Sequence, residues 1–236
     1  MMVLPSLILL LFEVWLGGLQ YLMFTRLDLS FVVNHICQFM HRSTDNHLVA
    51  AKRILRYVQG SLDNGLSFKP RPLQLTAFID SDWAGDLMDR CSTTGLIVFL
   101  GHNPITWQSK KLPTCSRSST EAEYRALANC TTDLSWVCMI LKDLGIFLDS
   151  PPTIWCDNLS ALALASNPVF HARMKHVEVN YHFIHEKVTN KDIQLWYIST
   201  DDQITDILTK ALSSPRFFYL RTKLMSSSTH HEFAGR

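Results

Sequence analysis

The stretch LTAFIDSDWAG, residues 75–85, decides the fold that this sequence predicts. Residues 75–79 are mostly apolar and β-prone, and the acids Asp80 and Asp82 follow them. Because side chains alternate across a strand, Phe78, Asp80 and Asp82 share one face. The pattern predicts a core strand, Leu75–Asp80, whose last residue presents a carboxylate to a cleft, with Asp82 in the turn that follows.

Further strands and helices are predicted downstream of this strand. Two β-prone runs split by Gly, Asn and Pro indicate an antiparallel meander. Two overlapping capping boxes at 118–123 begin a long helix that runs to Gly145. The remaining predicted elements are strands at 95–100, 105–109, 153–156 and 193–199, and helices at 159–165, within 175–188 and from about residue 203. The order βββαβααβα predicts a mixed α/β layer fold.

The first seventy residues have a different character. Apolar residues at helical spacing predict two helices, one in 30–41 and one in 45–60. Lys52, Arg53 and Arg56 share a face of the second helix, either as a solvated surface or as a phosphate contact. Residues 1–16 are apolar but lack the cationic flank of a secretory signal, and the run is too short to span a bilayer, which needs ~20 residues. The Pro-rich stretch Lys69–Pro72 is the predicted linker.

Composition excludes several classes of protein. The net charge is +1, so there is no global basic field, and any basic patch for nucleic acid must be local. Six cysteines are scattered without a C-x-x-C pair, which argues against a zinc ribbon and a disulfide-stapled secreted module and fits a reducing compartment. With 236 residues, 47% of them hydrophobic, the chain can bury a core of one large domain or one domain plus a fragment.

Four acids are placed alike in the predicted elements. Asp80 and Asp157 end strands, Glu123 lies in the first turn of the long helix, and Asp206 lies one turn into the last helix, with Asp202 as a cap. Each alone is as easily explained as a surface or capping residue. Together in one cleft they require compensation, which two hard divalent cations supply. Such a pair, ~4 Å apart, activates water for phosphodiester cleavage.

Ordered motifs run through most of the chain. They are FIDSDWAGD, DRCSTTGLIVFLG, ITWQSKK, RSSTEAEYRAL, WCDNLSAL, NPVFHARMKHVEVNYHFI and TDDQITDILTKAL, with GGLQYLMFTRLDLSFVVNHICQFM and AAKRILRYVQGSLDNGL upstream. Over roughly residues 17–224 the chain thereby resembles the C-terminal part of the Pol polyprotein of copia-type LTR retrotransposons, where reverse transcriptase ends and an RNase H domain follows.

The resemblance implies an RNase H-like mixed five-stranded sheet with flanking helices, preceded by a helical reverse-transcriptase remnant. The implied domains are an atypical N-terminus (1–16), the remnant (17–70), the RNase H-like domain (71–217) and a tail (218–236). The implied activity is endonucleolytic cleavage of the RNA strand of RNA–DNA hybrids, with two Mg2+ ions that Mn2+ can replace. The implied metal ligands are Asp80, Glu123, Asp157 and Asp206, with Glu121 as the alternative to Glu123.

The resemblance also implies partners. An RNA–DNA hybrid is the expected partner, with a reverse-transcriptase domain or a second copy of the chain as further candidates, and no membrane is expected. The expected nucleic-acid contacts are Lys110, Lys111, Arg173, Lys175 and His176. The tryptophans at 83, 107, 155 and 196 are expected in the core, with base stacking as a second interpretation of Trp83.

No Tyr-x-Asp-Asp turn is present, so no polymerase active site is predicted. Two rival hypotheses remain: a non-catalytic nucleic-acid-binding remnant, and a structural relic.

Overall fold

A computed structural model describes residues 6–70, 72–166 and 178–227 of the chain. The described residues form two compact units, one from residues 6–67 and 213–227 and the other from Phe68–Leu212. The first junction lies next to the predicted Pro-rich linker. The second lies at Ser213, before the predicted start of the tail at residue 218, because the helix Ser214–Leu224 belongs to the first unit.

The first unit is mainly helical. It contains α1 (Ser6–Leu22), α2 (Ser30–Cys37), α3 (Asp45–Gln59) and the helix Ser214–Leu224. The predicted boundary between residues 16 and 17 falls inside α1. The physical reason is the spacing of Phe12, Leu16 and Leu19, which lie on one face of α1 and are buried in a core with Val33 and Ile54.

The second unit is built on a five-stranded mixed sheet. The strands are β1 (Leu75–Asp82), β2 (Thr93–Leu100), β3 (Asn103–Lys111), β4 (Thr153–Cys156) and β5 (Gln194–Tyr197), in the order β3-β2-β1-β4-β5. The first three pair antiparallel, whereas β4 pairs parallel with β1 and β5 parallel with β4. The predicted mixed five-stranded sheet is confirmed, and its two parallel neighbours put the carboxyl ends of β1 and β4 at the same edge.

Helices cover the sheet and connect its parallel strands. They are α4 (Ser119–Asp143), α5 (Leu159–Ser166), α6 (Glu178–Thr189) and the single turn α7 (Asp206–Thr209). The apolar side chains of β1 at Leu75, Ala77 and Ile79 are buried in a cluster with Leu127 and Leu134 of α4. The strand therefore buries one set of alternate residues against α4, as the sequence pattern predicts.

The last part of the domain differs from the prediction. In place of a helix from about Gln203, a 3-10 turn (Thr200–Asp202) is followed by α7, which begins at Asp206. The cause is tertiary: the buried Gln203 side chain donates to the carbonyl of Ile79 at 2.8 Å and accepts from the Thr205 hydroxyl at 2.5 Å. Gln203 therefore ties this segment to β1, and Asp206 starts a helix where it was expected one turn inside, so Asp202 does not cap it.

Candidate metal centre

Asp80 is the centre of the candidate site. It lies near the end of β1, and 1% of its surface is exposed. Its Oδ1 is 3.1 Å from the Lys210 ammonium nitrogen, and its Oδ2 accepts a hydrogen bond from the Thr209 hydroxyl. Both partners come from the short C-terminal end of the domain, so α7 is held directly over the strand end.

Gly95 makes this close approach possible. It is the direct partner of Asp80 across the β1–β2 ladder. A Cβ added at Gly95 would lie 2.7 Å from Thr209 Cγ2 and 2.9 Å from Leu208 Cβ, both on α7. Only a residue without a side chain lets α7 pack this closely on β2. The next residue, Leu96, points to the opposite face of the sheet and lies in the core cluster that contains Leu127 of α4. The helix α7 therefore lies on the face of the sheet opposite α4.

Glu123 reaches the same strand end from the other side. It is buried in α4, and its Oε1 accepts a hydrogen bond from the backbone N–H of Ser81 at 2.9 Å. The alternative, Glu121, is engaged elsewhere: it accepts from the backbone N–H of Arg117 at 3.0 Å and pairs with Arg125 at 2.8 Å. This geometry favours Glu123 over Glu121 as a member of the site.

Asp157 follows β4, the parallel neighbour of β1. Ligand atoms of Glu123, Cys156 and Asp157 all lie within 4.8 Å of one another. The Thr200 hydroxyl donates to Asp157 Oδ2 at 3.1 Å. Cys156 is the soft member of this group, but burial, followed by the charge of Glu123, raises the pKa of its thiol well above the usual range. Hard divalent cations prefer oxygen ligands, so the carboxylates of Glu123 and Asp157 are the members of this group that suit them.

Asp206 completes the set as the first residue of α7. It is 5% exposed, and its Oδ1 lies 2.8 Å from the ammonium nitrogen of Lys210. One lysine thus contacts Asp80 and Asp206 together. The two carboxylates are close enough for the charge of Asp206 to raise the pKa of Asp80.

Electrostatic coupling joins all four carboxylates. Burial raises the pKa of Asp80 to about 6, against the opposing effects of Lys210 and Thr209. Burial, and after it the charges of Asp80 and Asp157, raises the pKa of Glu123 to about 9. Asp206 therefore opposes the ionisation of Asp80, and Asp80 and Asp157 oppose that of Glu123, so added positive charge favours the ionised forms of Asp80 and Glu123. A set of hard oxygen donors under mutual repulsion fits Mg2+ or Mn2+.

Sequence reasoning missed two residues at the site. Asp82, predicted to be in a turn, is the last residue of β1, and burial raises its pKa, against the effect of Lys210 and with that of Asp206. Lys210 was not singled out, although its spacing of four residues from Asp206 is the spacing of a helical ion pair.

The expected nucleic-acid contacts have different surroundings. Lys110 is exposed on β3. Lys111 is ion-paired to Asp86 at 2.5 Å and to Asp89 at 2.7 Å, so its charge is largely compensated within the protein. The other three, Arg173, Lys175 and His176, lie outside the described residues.

The prediction of a core position is wrong for Trp196, and Trp83, for which core packing and base stacking are both open from the sequence, lies outside the core as well. Trp83 is 48% exposed and Trp196 is 54% exposed. The Trp83 indole N–H donates to the carbonyl of Ser116 at 3.0 Å, which fixes the orientation of this half-exposed ring. Trp107 and Trp155 are partly buried, and the Trp155 ring stacks on Phe78 with centroids 6.3 Å apart.

The strand order, the strand directions and the acids at the strand ends define an RNase H-like fold. Among solved structures, the chain is similar to LC11-RNase H1 in complex with an RNA/DNA hybrid, with a TM-score of 0.44, 12% identity, and coverage of 58% of this chain and 94% of that chain. It is also similar to the foamy viral protease-reverse transcriptase in complex with an RNA/DNA hybrid, with a TM-score of 0.47 and 13% identity. The match covers 84% of this chain and 27% of that chain. No family model matches the chain.

Sequence relatives identify the family. The chain is 52% identical over 202 residues to the retrovirus-related Pol polyprotein from transposon RE2 of Arabidopsis thaliana, covering 85% of this chain and 14% of that protein. It is 35% identical over 202 residues to the corresponding polyprotein from transposon TNT 1-94 of Nicotiana tabacum, covering 85% of this chain and 15% of that protein. The resemblance drawn from the motifs is confirmed: the chain is a relative of the copia-type Pol polyproteins and spans about one seventh of their length.

Proposed function

We propose that this chain is a divalent-metal-dependent endonuclease that cleaves the RNA strand of RNA–DNA hybrids. The observation that carries the proposal is the meeting of Asp80, Glu123, Asp157 and Asp206 at one edge of an RNase H-like sheet. Their separation in sequence makes this meeting a property of the fold. The relatives support an RNase H role, since they are Pol polyproteins of retrotransposons.

The four side chains differ in how firmly they are held. Asp80 is fixed by Thr209 and Lys210, and Glu123 is fixed by the Ser81 N–H. Asp157 is more exposed than the other three, which suits a ligand that faces the substrate. Two divalent cations held by these oxygens would activate a water molecule and stabilise the leaving oxygen of the scissile phosphodiester.

Recognition of the hybrid requires contacts outside the acids. We assign phosphate contacts to Lys110 and to the basic residues Arg173, Lys175 and His176, with a smaller contribution from Lys111. Selection of the RNA strand would come from contacts to the 2′-hydroxyl and from the shape of the minor groove. The helical first unit, in this proposal, corresponds to the end of a reverse transcriptase, and the chain has no polymerase site of its own.

The test is cleavage of a duplex with separately labelled RNA and DNA strands by the full chain. We expect RNA-strand cleavage in Mg2+, none in EDTA, and a loss of about 100-fold or more in Asp157→Asn, because loss of a metal ligand weakens transition-state charge stabilisation. Asp149→Asn is the matched control, since Asp149 is an exposed aspartate in the loop before β4.

The rival hypotheses predict other results. A folded chain that binds the hybrid but cuts neither strand is a non-catalytic binding remnant. A folded chain that neither binds nor cuts is a structural relic. Cleavage that persists at the wild-type rate in Asp157→Asn contradicts the assignment of the site while leaving the nuclease activity in place.

A further inference from the structure

Lys210 occupies an unusual position among the acids. Its ammonium nitrogen lies 3.1 Å from Asp80 Oδ1 and 2.8 Å from Asp206 Oδ1. Both carboxylates are almost fully buried, whereas the lysine side chain is 33% exposed. A single positive charge therefore bridges two acids that the proposed function assigns to metal binding.

A cation between two carboxylates does what a metal ion would do there. It offsets their repulsion and keeps their side chains pointing at a common position. An ammonium group and a divalent cation cannot both contact the same Asp80 oxygen at full strength, because their charges repel. The partial exposure of Lys210, on a long flexible side chain, gives the ammonium group a route into solvent.

We propose that Lys210 is an internal counter-ion that holds Asp80 and Asp206 in place in the metal-free protein and is displaced from Asp80 when a divalent cation binds. This inference rests on the proposed function. Lys210 is a positioning residue: it keeps the metal-free site assembled, and it lowers the affinity for metal because metal binding has to break its ion pairs. Two opposite effects are therefore expected from its removal.

The variant Lys210→Met separates these effects. In EDTA we expect its melting temperature to fall by several degrees, because two buried carboxylates lose their counter-charge. In isothermal titration calorimetry we expect the same variant to bind Mn2+ about 5- to 30-fold more tightly, at the lower end of the usual range of coupling effects. Lys187→Met is the matched control, since Lys187 forms a partly exposed ion pair with Asp192 at 3.0 Å and is not a member of the site.

A second measurement uses the unaltered chain and so does not depend on a variant that folds. Limited acetylation of lysines in EDTA and in Mg2+, followed by peptide mass spectrometry, reports how free each ammonium group is. We expect the labelling of Lys210 to rise several-fold in Mg2+, with Lys187 unchanged. Lys210→Arg, which keeps the charge, is expected to retain the wild-type melting temperature in EDTA.

The outcomes distinguish this inference from the proposed function. If the wild type binds Mn2+ and cleaves the hybrid, but Lys210→Met binds Mn2+ equally or more weakly, the counter-ion inference is overturned and the nuclease stands. Unchanged or reduced labelling of Lys210 in Mg2+ overturns it as well. If neither the wild type nor Lys210→Met binds Mn2+, both the inference and the metal-dependent mechanism fail.

A separate observation concerns two cysteines near the ends of the elements that carry the acids. Cys91 Sγ and Cys115 Sγ lie 2.7 Å apart, closer than two unbonded sulfur atoms normally approach. Cys91 lies in the loop between β1 and β2, and Cys115 lies in the segment between β3 and α4. The Cys115 thiol also donates to the carbonyl of Asp89 at 3.0 Å.

We infer that Cys91 and Cys115 are a disulfide-forming pair that cross-links these two segments under oxidation. With glutathione disulfide as oxidant, its S–S bond breaks and takes up the two electrons and two protons that the two thiols lose, so one protein S–S bond forms and two molecules of glutathione are released. The sulfur atoms of these two cysteines are already in contact in the folded chain, so the reaction is expected to be selective for this pair.

Peptide mapping of the folded chain after treatment with glutathione disulfide tests the pair. We expect a Cys91–Cys115 linked peptide as the main product and a higher melting temperature than that of the reduced chain. Cys91→Ser should abolish both effects, whereas Cys37→Ser should retain them. A folded chain that forms no such link, or that links other cysteines first, overturns the inference.

Discussion

The side chain of Glu123 accepts a hydrogen bond from the backbone N–H of Ser81 at 2.9 Å, which joins helix α4 to the end of strand β1. The contact lies one residue beyond Asp80, so the helix that supplies one acid is fixed to the strand that supplies another. It uses a backbone donor, which any residue except proline at position 81 would provide. The relative position of the two carboxylates is therefore a consequence of the fold.

The raised pKa of Glu123 predicts a pH dependence for the metal-free protein. The carboxyl titrates at about 9 in the folded chain and near its usual value (~4.3) in the unfolded chain. Between these values the folded state binds more protons, so its stability falls as the pH rises. In EDTA we expect Glu123→Gln to show a flatter pH dependence and, near pH 8, a higher melting temperature than the wild type.

Differential scanning fluorimetry across this pH range measures the effect, where ~1 kcal/mol corresponds to roughly 2–4 °C for a chain of this size. The amide oxygen that Glu123→Gln introduces can still accept from the Ser81 N–H, so the hydrogen bond is retained. Asp149→Asn should follow the wild-type curve. A Glu123→Gln curve as steep as the wild type would show that this carboxyl titrates normally.

Gly95 is predicted to be intolerant of any side chain. In Gly95→Ala, the new methyl group would meet Thr209 Cγ2 and Leu208 Cβ at distances of 2.7 and 2.9 Å, and α7 would have to move away from β2. We expect a loss of about 1–3 kcal/mol in the free energy of unfolding and a larger loss of cleavage than the lost stability explains, because Asp206 and Lys210 move with α7.

Urea unfolding followed by hybrid cleavage at a temperature where both proteins are folded measures the two effects. Gly65→Ala is the control, because a Cβ at that position meets no atom within 4 Å. Retention of wild-type cleavage by Gly95→Ala would mean that the position of α7 is not critical for the site.

The two neighbouring lysines on β3 are predicted to contribute unequally to hybrid binding. Lys110 is exposed, whereas Lys111 is paired with Asp86 and Asp89. We expect Lys110→Ala to weaken binding and to reduce the slope of log Kd against log salt by about one. Lys111→Ala should leave the slope nearly unchanged. Fluorescence anisotropy in Ca2+ at several salt concentrations measures both, and equal slopes for the two variants would contradict the prediction.

The sequence predicts the parts of the site that depend on local patterns. Asp80 lies near the end of β1, whose alternation is visible in the sequence, and Asp157 directly follows β4. Ser118 caps α4 by accepting from the backbone N–H of Glu121, as its capping box predicts. Periodicity and capping act over a few residues, so one sequence is enough to find them. The joint placement of these acids with Glu123 and Asp206 at element ends suggests one metal site, and the resemblance to copia-type Pol implies that all four are its ligands.

The parts that the sequence did not predict depend on tertiary contacts. The Gln203 side chain donates a hydrogen bond to the carbonyl of Ile79, 124 residues away in sequence. As a result α7 begins at Asp206 and not at about residue 203. Lys210 forms an ion pair with Asp80, 130 residues away in sequence. Phe12 and Leu16 pack into the helical core, although they belong to the segment 1–16 that the family resemblance does not cover. No local pattern specifies these partners.

The central claim is that four acids distant in sequence form one divalent-metal centre, and Mn2+ binding to single variants tests it most directly. We predict by isothermal titration calorimetry that Asp80→Asn, Glu123→Gln, Asp157→Asn and Asp206→Asn each weaken Mn2+ binding by about tenfold or more, since each removes one oxygen ligand. Asp149→Asn should bind Mn2+ like the wild type. Wild-type affinity in two or more of the four variants would contradict a shared centre.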